Sequence, residues 1–441
     1  MAFGADMPRM AVEPPGPASR SLAARLRAVE SRNITPLDDT IVWSEAAGAN
    51  VRDADGNVYV DLTAGFAVAA TGHAHPDVAA AIGRQAARLP HGLGDVHPSE
   101  AKVLLLERLA ALAPGRLSVS ILASAGAEAV EAALKTAVMA TGRPGILAFE
   151  GAYHGLTYGA LSVTSRDLFR RPFLDQLFAG VRFAPYPAAF TDPADAMRAV
   201  RRIMDEAEAT AMPIGAVLVE PVQGRGGLMV PPRGFLAGLR GLCDERGIVL
   251  IFDEIYTGFG RTGRWFACQH DSVEPDIMTV GKALTGALPL SAAIGTPDVM
   301  AAWPPSEGEA IHTSTFLGNP TACAAGLAQL DIIEREHLVE RAEKLGGTLR
   351  EWLQGWASRD PRIRELRGVG LMQGVRLGQA GDVGPAALAM KTVAGALREG
   401  VLLLPEGGDG DVLAVTPPLV ITESQLTGAL QIVERVLARV T

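Results

Sequence analysis

Cysteine is scarce in this chain of 441 residues, occurring only as Cys243, Cys268 and Cys323. Three thiols without metal-type pairing leave no disulfide framework to read and point to reduced, buried bystanders in a cytoplasm. Basic charge is not in surplus: 40 Lys and Arg face 49 Asp and Glu, a formal charge of −9. The two signs are interspersed, so no phosphate-tracking surface is expected and nucleic acid is excluded as a partner. No apolar run reaches membrane-spanning length, which excludes a helical membrane span. No internal repeat appears. The opening MAFGADMPRMAVEPPGPASR lacks the basic-then-apolar order of a signal peptide, and its Pro and Gly suggest a mobile arm.

What is present is ample apolar material, 48% of residues, in a chain longer than one typical core. Two or three lobes are expected. Short apolar runs alternate with helical patterns: candidate strands are Val119–Leu122, Gly145–Phe149, Ala216–Val219, Ile248–Phe252, Ile277–Val280 and Leu290–Ile294. Phe235, Leu236, Leu239 and Leu242 recur at helical spacing, and Gly247 stops that helix just before the next strand. This βα alternation predicts an α/β fold whose middle section is a mostly parallel sheet between helices, with ligands gathering at the carboxyl ends of the strands. After 325 the texture changes. Long helical patterns lead to Gly400, a VLLLP strand, a GGDGD turn, a VLAVTP strand and a last helix opened by the Thr422/Gln425 capping pair. The segment Asn50–Leu62, with its Asp55-Gly56 turn, reads as a hairpin that joins this smaller α+β lobe. The expected division is an arm and helix over 1–40, a first part of the small domain over 41–75, a large domain over 76–325 and the rest of the small domain over 326–441.

The stretch VLIFDEIYTGFGRTG, 249 to 263, sets two acids where an apolar strand stops. A carboxylate there could hold a metal, act as a general base, or pair with a cationic ring nitrogen. No His–Asp–Glu cluster nearby supplies a metal's ligands, and no metal is expected. GFGRTG satisfies the G-x-G-x-x-G pattern, but Gly258 comes too late after the strand and no clear helix follows, so it fits a dinucleotide site poorly. Beyond it, DIMTVGKALTG places Lys282 just after another apolar strand. Most lysines are solvated surface groups. A lysine at a strand end can also form a Schiff base, and pyridoxal phosphate requires such a lysine, an acid for its ring nitrogen and a phosphate cradle. LASAGAEAVEAALKTA offers a small-residue turn, Ser124 to Ala127, opening an alanine-rich helix, and Tyr153 in FEGAYHG offers a ring for stacking.

These residues resemble the class-III aminotransferases, pyridoxal-phosphate enzymes of fold type I. The resemblance runs from Val51 to Ile421 and rests on DADGNVYVDLTAGFAVAATGHAHP, SAGAEAVEAALK, GAYHG, VEPVQGRGG, FDEIYTGFGRTG, TVGKALTG and HTSTFLGNP, in that order. It implies a large domain with a seven-stranded sheet and a smaller domain from both chain ends. It makes Lys282 and Asp253 catalytic: Asp253 would keep the ring nitrogen protonated, and Lys282 would hold the cofactor and shuttle a proton. Glu254, beside Asp253 but pointing the other way along an extended segment, is expected to be structural. Tyr153 and Ile255 would cover the two ring faces, and Gly126 and Ala127 would give N–H groups to the phosphate. Ala125, His154, Glu220 and Tyr256 would complete the cofactor's surroundings, with Thr315 reaching the phosphate of a neighbouring subunit. A homodimer with active sites at its interface follows from the resemblance, and whether dimers pair further into a tetramer stays open.

Departures from the family pattern fall on the substrate side. Phe66, Arg225 and Ala414 stand at positions expected to face substrate. Arg225 replaces the usual Glu and Ala414 the usual Arg, while Leu156 stands where the 4-aminobutyrate enzymes carry Arg. The phosphate turn lacks the usual hydroxyl at Ala127. The implied function is transfer of an amino group from an amine or a 4-aminobutyrate-like ω-amino acid to a keto acid such as pyruvate or 2-oxoglutarate. An epimerase, decarboxylase or ammonia-lyase would use the same Asp–Lys pair, and a nicotinamide oxidoreductase rests on GFGRTG alone.

Overall fold

The computed structural model describes residues 3–36 and 40–440. The chain divides into two compact units, Asp77–Glu343 and a second built from Met1–Pro76 with Lys344–Thr441.

The first unit is organised by a seven-stranded sheet. Its spatial order is Val119–Ala123, Ser291–Gly295, Ile277–Val280, Val249–Asp253, Ile214–Val219, Gly145–Phe149 and Val181–Ala184. The last five pair in parallel, and only Ser291–Gly295 runs against its neighbours. The central strands are apolar throughout because both faces are covered, as parallel sheets require. One face is covered by the helix Gly126–Thr141, whose Val130, Ala132, Ala133 and Ala137 pack on Ile146, Ala148, Ala216, Leu218, Val249, Ile251, Ile277 and Ala293. Alanine gives that helix high propensity and lets its axis approach the sheet closely. The helix Phe235–Arg246 ends at Gly247 with φ +60°, as its spacing predicts, and the next strand follows at once. The expected boundary at 325/326 falls inside the helix Pro320–Arg335, which packs on the helix Glu100–Leu112 and stays with this unit. Cys243 and Cys323 are buried, and burial pushes their thiols up to about 12, which leaves them unreactive near neutrality.

The second unit holds two four-stranded sheets. The predicted hairpin forms from Asn50–Asp53 and Val58–Asp61, with Gly56 at φ +89° in the turn. VLLLP, read as one strand, is two. Val401–Leu402 pairs in parallel with Val58–Asp61, and Leu404–Glu406 pairs with Val412–Val415 in the other sheet. The capping pair is present: Gln425 N–H donates to Thr422 Oγ1, and Thr422 N–H to Gln425 Oε1, both at 3.1 Å. The opening segment, expected to be a mobile arm, is instead tied down. Arg9 forms a backbone bridge to Val58, and the N–H groups of Asp6, Ala11 and Val12 donate to the side chains of Asn50 and Asn57. Buried asparagines supply the partners that a Pro- and Gly-rich segment cannot supply itself.

Candidate active site

Four neighbouring parallel strands deliver four loops to one end of the sheet: 150–156 after Gly145–Phe149, 220–225 after Ile214–Val219, 253–256 at the end of Val249–Asp253, and 281–282 after Ile277–Val280. With the start of the helix at Gly126 they enclose a cavity of about 300 Å³. Ten of the residues singled out from the sequence line it: Gly126, Ala127, Tyr153, His154, Glu220, Arg225, Asp253, Ile255, Tyr256 and Lys282.

Asp253 is 4% exposed and sits in a built polar nest. Its Oδ1 accepts from Ile255 N–H at 3.0 Å and from Thr279 Oγ1 at 3.2 Å, and Oδ2 lies 2.7 Å from His154 Nδ1. Thr279 is its register partner on the adjacent strand, so the sheet itself fixes the carboxylate. Glu220 is buried behind it, accepting from the N–H groups of Tyr153 at 3.1 Å and Gly224 at 3.0 Å. Burial pushes the Glu220 carboxyl up to about 7, with the Asp253 charge adding to the effect and His154 and the two N–H groups opposing it.

Lys282 lies just past Val280 with φ +42°, in the left-handed region that a lysine enters only when its surroundings hold it there. Its Nζ is 4.0 Å from the centroid of the Tyr256 ring. Side chains press closely on the glycine backbone around the helix start. A Cβ on Gly126 would come within 2.9 Å of Ile255 Cδ1, and one on Gly155, at φ +128°, within 2.5 Å of Ala127 Cβ. Glu128 reaches back to accept from Ser124 N–H at 2.8 Å, while Ala125 supplies no side-chain cap.

Glu254 answers differently from its neighbour. It is fully buried and lines no part of the cavity, accepting from Thr257 Oγ1, from Ala267 N–H at 2.9 Å and from Cys268 N–H at 2.8 Å.

Four expected residues do not line this cavity. Ala125 is the exposed residue before the helix, its carbonyl accepting from Ser291 Oγ. Thr315 is exposed on the loop before Pro320. Phe66 and Ala414 belong to the other compact unit: Phe66 is 56% exposed at φ +63°, and Ala414 is buried within its strand. Sequence reasoning missed Gly155 as a lining residue and Arg166 as a neighbour of the rim. Gly155 was readable inside GAYHG; Arg166 carries no sequence signal.

The cavity fits pyridoxal phosphate on its own features. A buried carboxylate faces it, Tyr153 and Ile255 offer ring-covering side chains, and the start of a long helix opens onto it. His154 Nε2 is buried without a hydrogen-bond partner among the described residues, as expected where a polar ligand belongs.

Comparison with known proteins agrees. The profile of the family described as Aminotransferase class-III matches residues 32–437. Acetylornithine aminotransferase of Methanosarcina mazei is 40% identical over 395 residues, 90% of this chain and 91% of the relative. A 4-aminobutyrate aminotransferase of Mycobacterium leprae is 35% identical, covering 97% and 98%. An alanine/serine racemase of Pyrococcus horikoshii is 34% identical, covering 98% and 92%. Among solved structures, an amine transaminase from an uncultivated Pseudomonas species, in its pyridoxal-phosphate-bound form, superposes with a TM-score of 0.86 at 32% identity, covering 94% and 98%. The chain therefore belongs to the class-III aminotransferases, pyridoxal-phosphate-dependent enzymes of fold type I.

Proposed function

We propose that this enzyme moves an amino group from an amine or a 4-aminobutyrate-like ω-amino acid to a keto acid such as pyruvate or 2-oxoglutarate, leaving the donor as a carbonyl compound and the acceptor as an amino acid. The observation that carries the reading is the placement of Asp253 and Lys282 at the ends of adjacent parallel strands, facing one cavity. Pyridoxal phosphate, when bound, supplies an electron-accepting ring that stabilises negative charge at the substrate carbon. In this reading Lys282 Nζ holds the cofactor and then, once freed, takes a proton from the substrate carbon and returns one. Asp253, held by Thr279, Ile255 and His154, keeps a proton on the ring nitrogen. Tyr153 and Ile255 fix the ring's plane, Tyr256 and Glu220 shape its surroundings, and the N–H groups of Gly126 and Ala127 meet the phosphate.

A homodimer is part of the same proposal. Exposed Leu89, Leu93, Val96 and Phe316 lie on two segments that pack together, with the His91 and Phe316 rings 5.1 Å apart and Asn319 Nδ2 donating to Pro90 O. Such a patch suits a second copy of the chain, and Thr315 beside it is proposed to reach that copy's cofactor phosphate. Phe66 and Ala414 are proposed as substrate-facing residues of the smaller unit. Three buried, unpaired thiols support a cytoplasmic location.

The full-length racemase relative favours a second reading, proton removal and return at one carbon without amino transfer. Absorbance separates the two. An aminotransferase given an ω-amino acid alone loses its visible absorption and regains it when pyruvate or 2-oxoglutarate is added, whereas a racemase keeps it throughout. Lys282→Ala is expected to abolish turnover and the borohydride-trappable link while still binding cofactor non-covalently. Undiminished turnover would refute the mechanism.

A further inference from the structure

The helices Pro385–Arg398 and Glu423–Arg439 of the second unit pack on each other. Gly395 lets them come close: a Cβ there would fall 2.4 Å from Val436 Cγ1. Beside this contact lies a cleft of about 550 Å³. Ala394 and Val436 give it a small, apolar floor, and Lys391, Arg398, Glu399 and Arg439 give it a charged rim.

The charges on that rim do not balance. Lys391 and Arg398, seven residues apart, share one stripe of the first helix, and Arg435 and Arg439, four apart, share one stripe of the second. Arg435 and Arg439 both pair with the same acid, Glu399, at 3.1 and 2.7 Å. Among the described residues neither Lys391 nor Arg398 has an ion-pair partner. Glu434, the other acid in this part of the second helix, is taken by Arg359 at 3.0 Å. Four cations therefore meet one acid, a local excess of three positive charges in a chain whose formal charge is −9. Like charges four apart on a helix cost stability.

Cations at the end of a helix commonly answer its free carbonyls and its dipole. Here those carbonyls have other donors. Arg362 Nη1 donates to Leu437 O at 2.9 Å and to Val440 O at 3.1 Å, and its own charge is matched by Asp360. At the end of the first helix the N–H groups of Glu399 and Gly400 fold back onto Ala396 O and Leu397 O, both at 3.1 Å. The dipole acts only within the last turn, and Lys391 lies two turns before Arg398. Helix capping thus leaves this set of cations unexplained.

Cations on two facing helices suit an anion that carries several charges close together and accepts hydrogen bonds on all sides. Guanidinium grips phosphate oxygens in a two-pronged fork, and an ammonium adds a point charge. We infer that this cleft binds a diphosphate group, free or carried by a nucleoside, with Arg398 and Arg439 gripping it from the two helices and Lys391 completing the charge. The site lies wholly within the smaller unit and stands apart from the amino-transfer reading.

Calorimetric titration of the holoenzyme with inorganic pyrophosphate tests it, since the bound cofactor already fills the phosphate cradle of the active site. One site per chain is expected, weakened by added salt. The Kd should rise about tenfold or more in Arg398→Gln and further in Lys391→Gln/Arg398→Gln. Both side chains are exposed, so these variants should keep the wild-type melting midpoint. Glu399→Gln removes the one acid and should tighten binding, a gain that no loss of folding can imitate. ADP in place of pyrophosphate separates the two sources: equal affinity marks the phosphate pair as the whole ligand, and tighter binding marks a nucleotide. Three results would each overturn the site: no saturable binding by about 1 mM, a Kd in the double variant within about twofold of wild type, or no tightening in Glu399→Gln. Citrate, an anion of similar charge without phosphate, binding as tightly as pyrophosphate would overturn the phosphate assignment.

Discussion

Glu254→Ala removes a carboxylate that touches nothing in the active site. The side chain is fully buried, and the Thr257 hydroxyl, the Ala267 and Cys268 N–H groups and the Cys268 thiol all point at it. The hydroxyl can rotate to another acceptor, but the two backbone donors are fixed by the turn Ala267–His270 and cannot. Each buried N–H left without a partner costs about 1–3 kcal/mol, so the two cost about 2–6 kcal/mol. Against this stands the relief of a buried acid whose pKa burial raises despite four opposing hydrogen bonds. A net loss of about 2–4 kcal/mol is expected, or about 4–8 °C in the melting midpoint at about 2 °C per kcal/mol. Scanning fluorimetry of the apoenzyme reads the midpoint, and kcat measured well below it should stay within about threefold of wild type, less than 1 kcal/mol in the barrier. A midpoint unchanged within the scatter of the scan would show that the carboxylate does not hold this loop. A large fall in kcat without loss of stability would return Glu254 to the chemistry.

Asp253→Asn is expected to lower kcat at least ~100-fold if the charge on the ring nitrogen is worth about 3 kcal/mol in the transition state; a change below about tenfold would mean the acid is misassigned. Glu220 gives a pH signature. Its carboxyl is raised from an ordinary value of 4.5 to about 7, so the stability linked to its proton is fully present below pH 4.5 and is lost as pH rises through 7. Apo wild type should therefore lose up to about 3 kcal/mol relative to apo Glu220→Gln between pH 4.5 and 8, read as a fall of the wild-type melting midpoint relative to that of the variant, and a pH-independent difference would refute the assignment.

Much of the large unit was legible because its strands are buried on both faces and read as continuous apolar runs. Six of its seven strands were read from such runs, although Val119–Ala123, at one edge of the sheet, is itself partly exposed. The seventh, Val181–Ala184, is a short edge strand with a half-exposed arginine at its second position, and it leaves no such run. The strands Ile363–Val369 and Met372–Leu377 escaped for a related reason. Their charged residues and glycines break the alternation, and Gly368, at φ +86°, is pressed so closely on its partner strand that a Cβ would come within 1.9 Å of Met372 O. VLLLP read as one strand because pattern alone says nothing of two sheets drawing on one run.

The site was legible as motifs rather than as a place. Nothing in the sequence puts Tyr153 next to Arg225, or either next to Asp253, because they lie on loops far apart along the chain. The sheet order does so. Gly145–Phe149, Ile214–Val219, Val249–Asp253 and Ile277–Val280 are consecutive in space, while Val181–Ala184, which falls between the first two in sequence, is sent to the edge. That single crossover brings the loop carrying Arg225 against the loop carrying Tyr153, and so places a guanidinium at the rim of a cavity whose floor is Asp253 and Lys282. An arginine in a glycine-rich stretch is an ordinary surface charge until the strand order is known. Once it is known, that charge has an address inside the site, and the chemistry to test is what binds there.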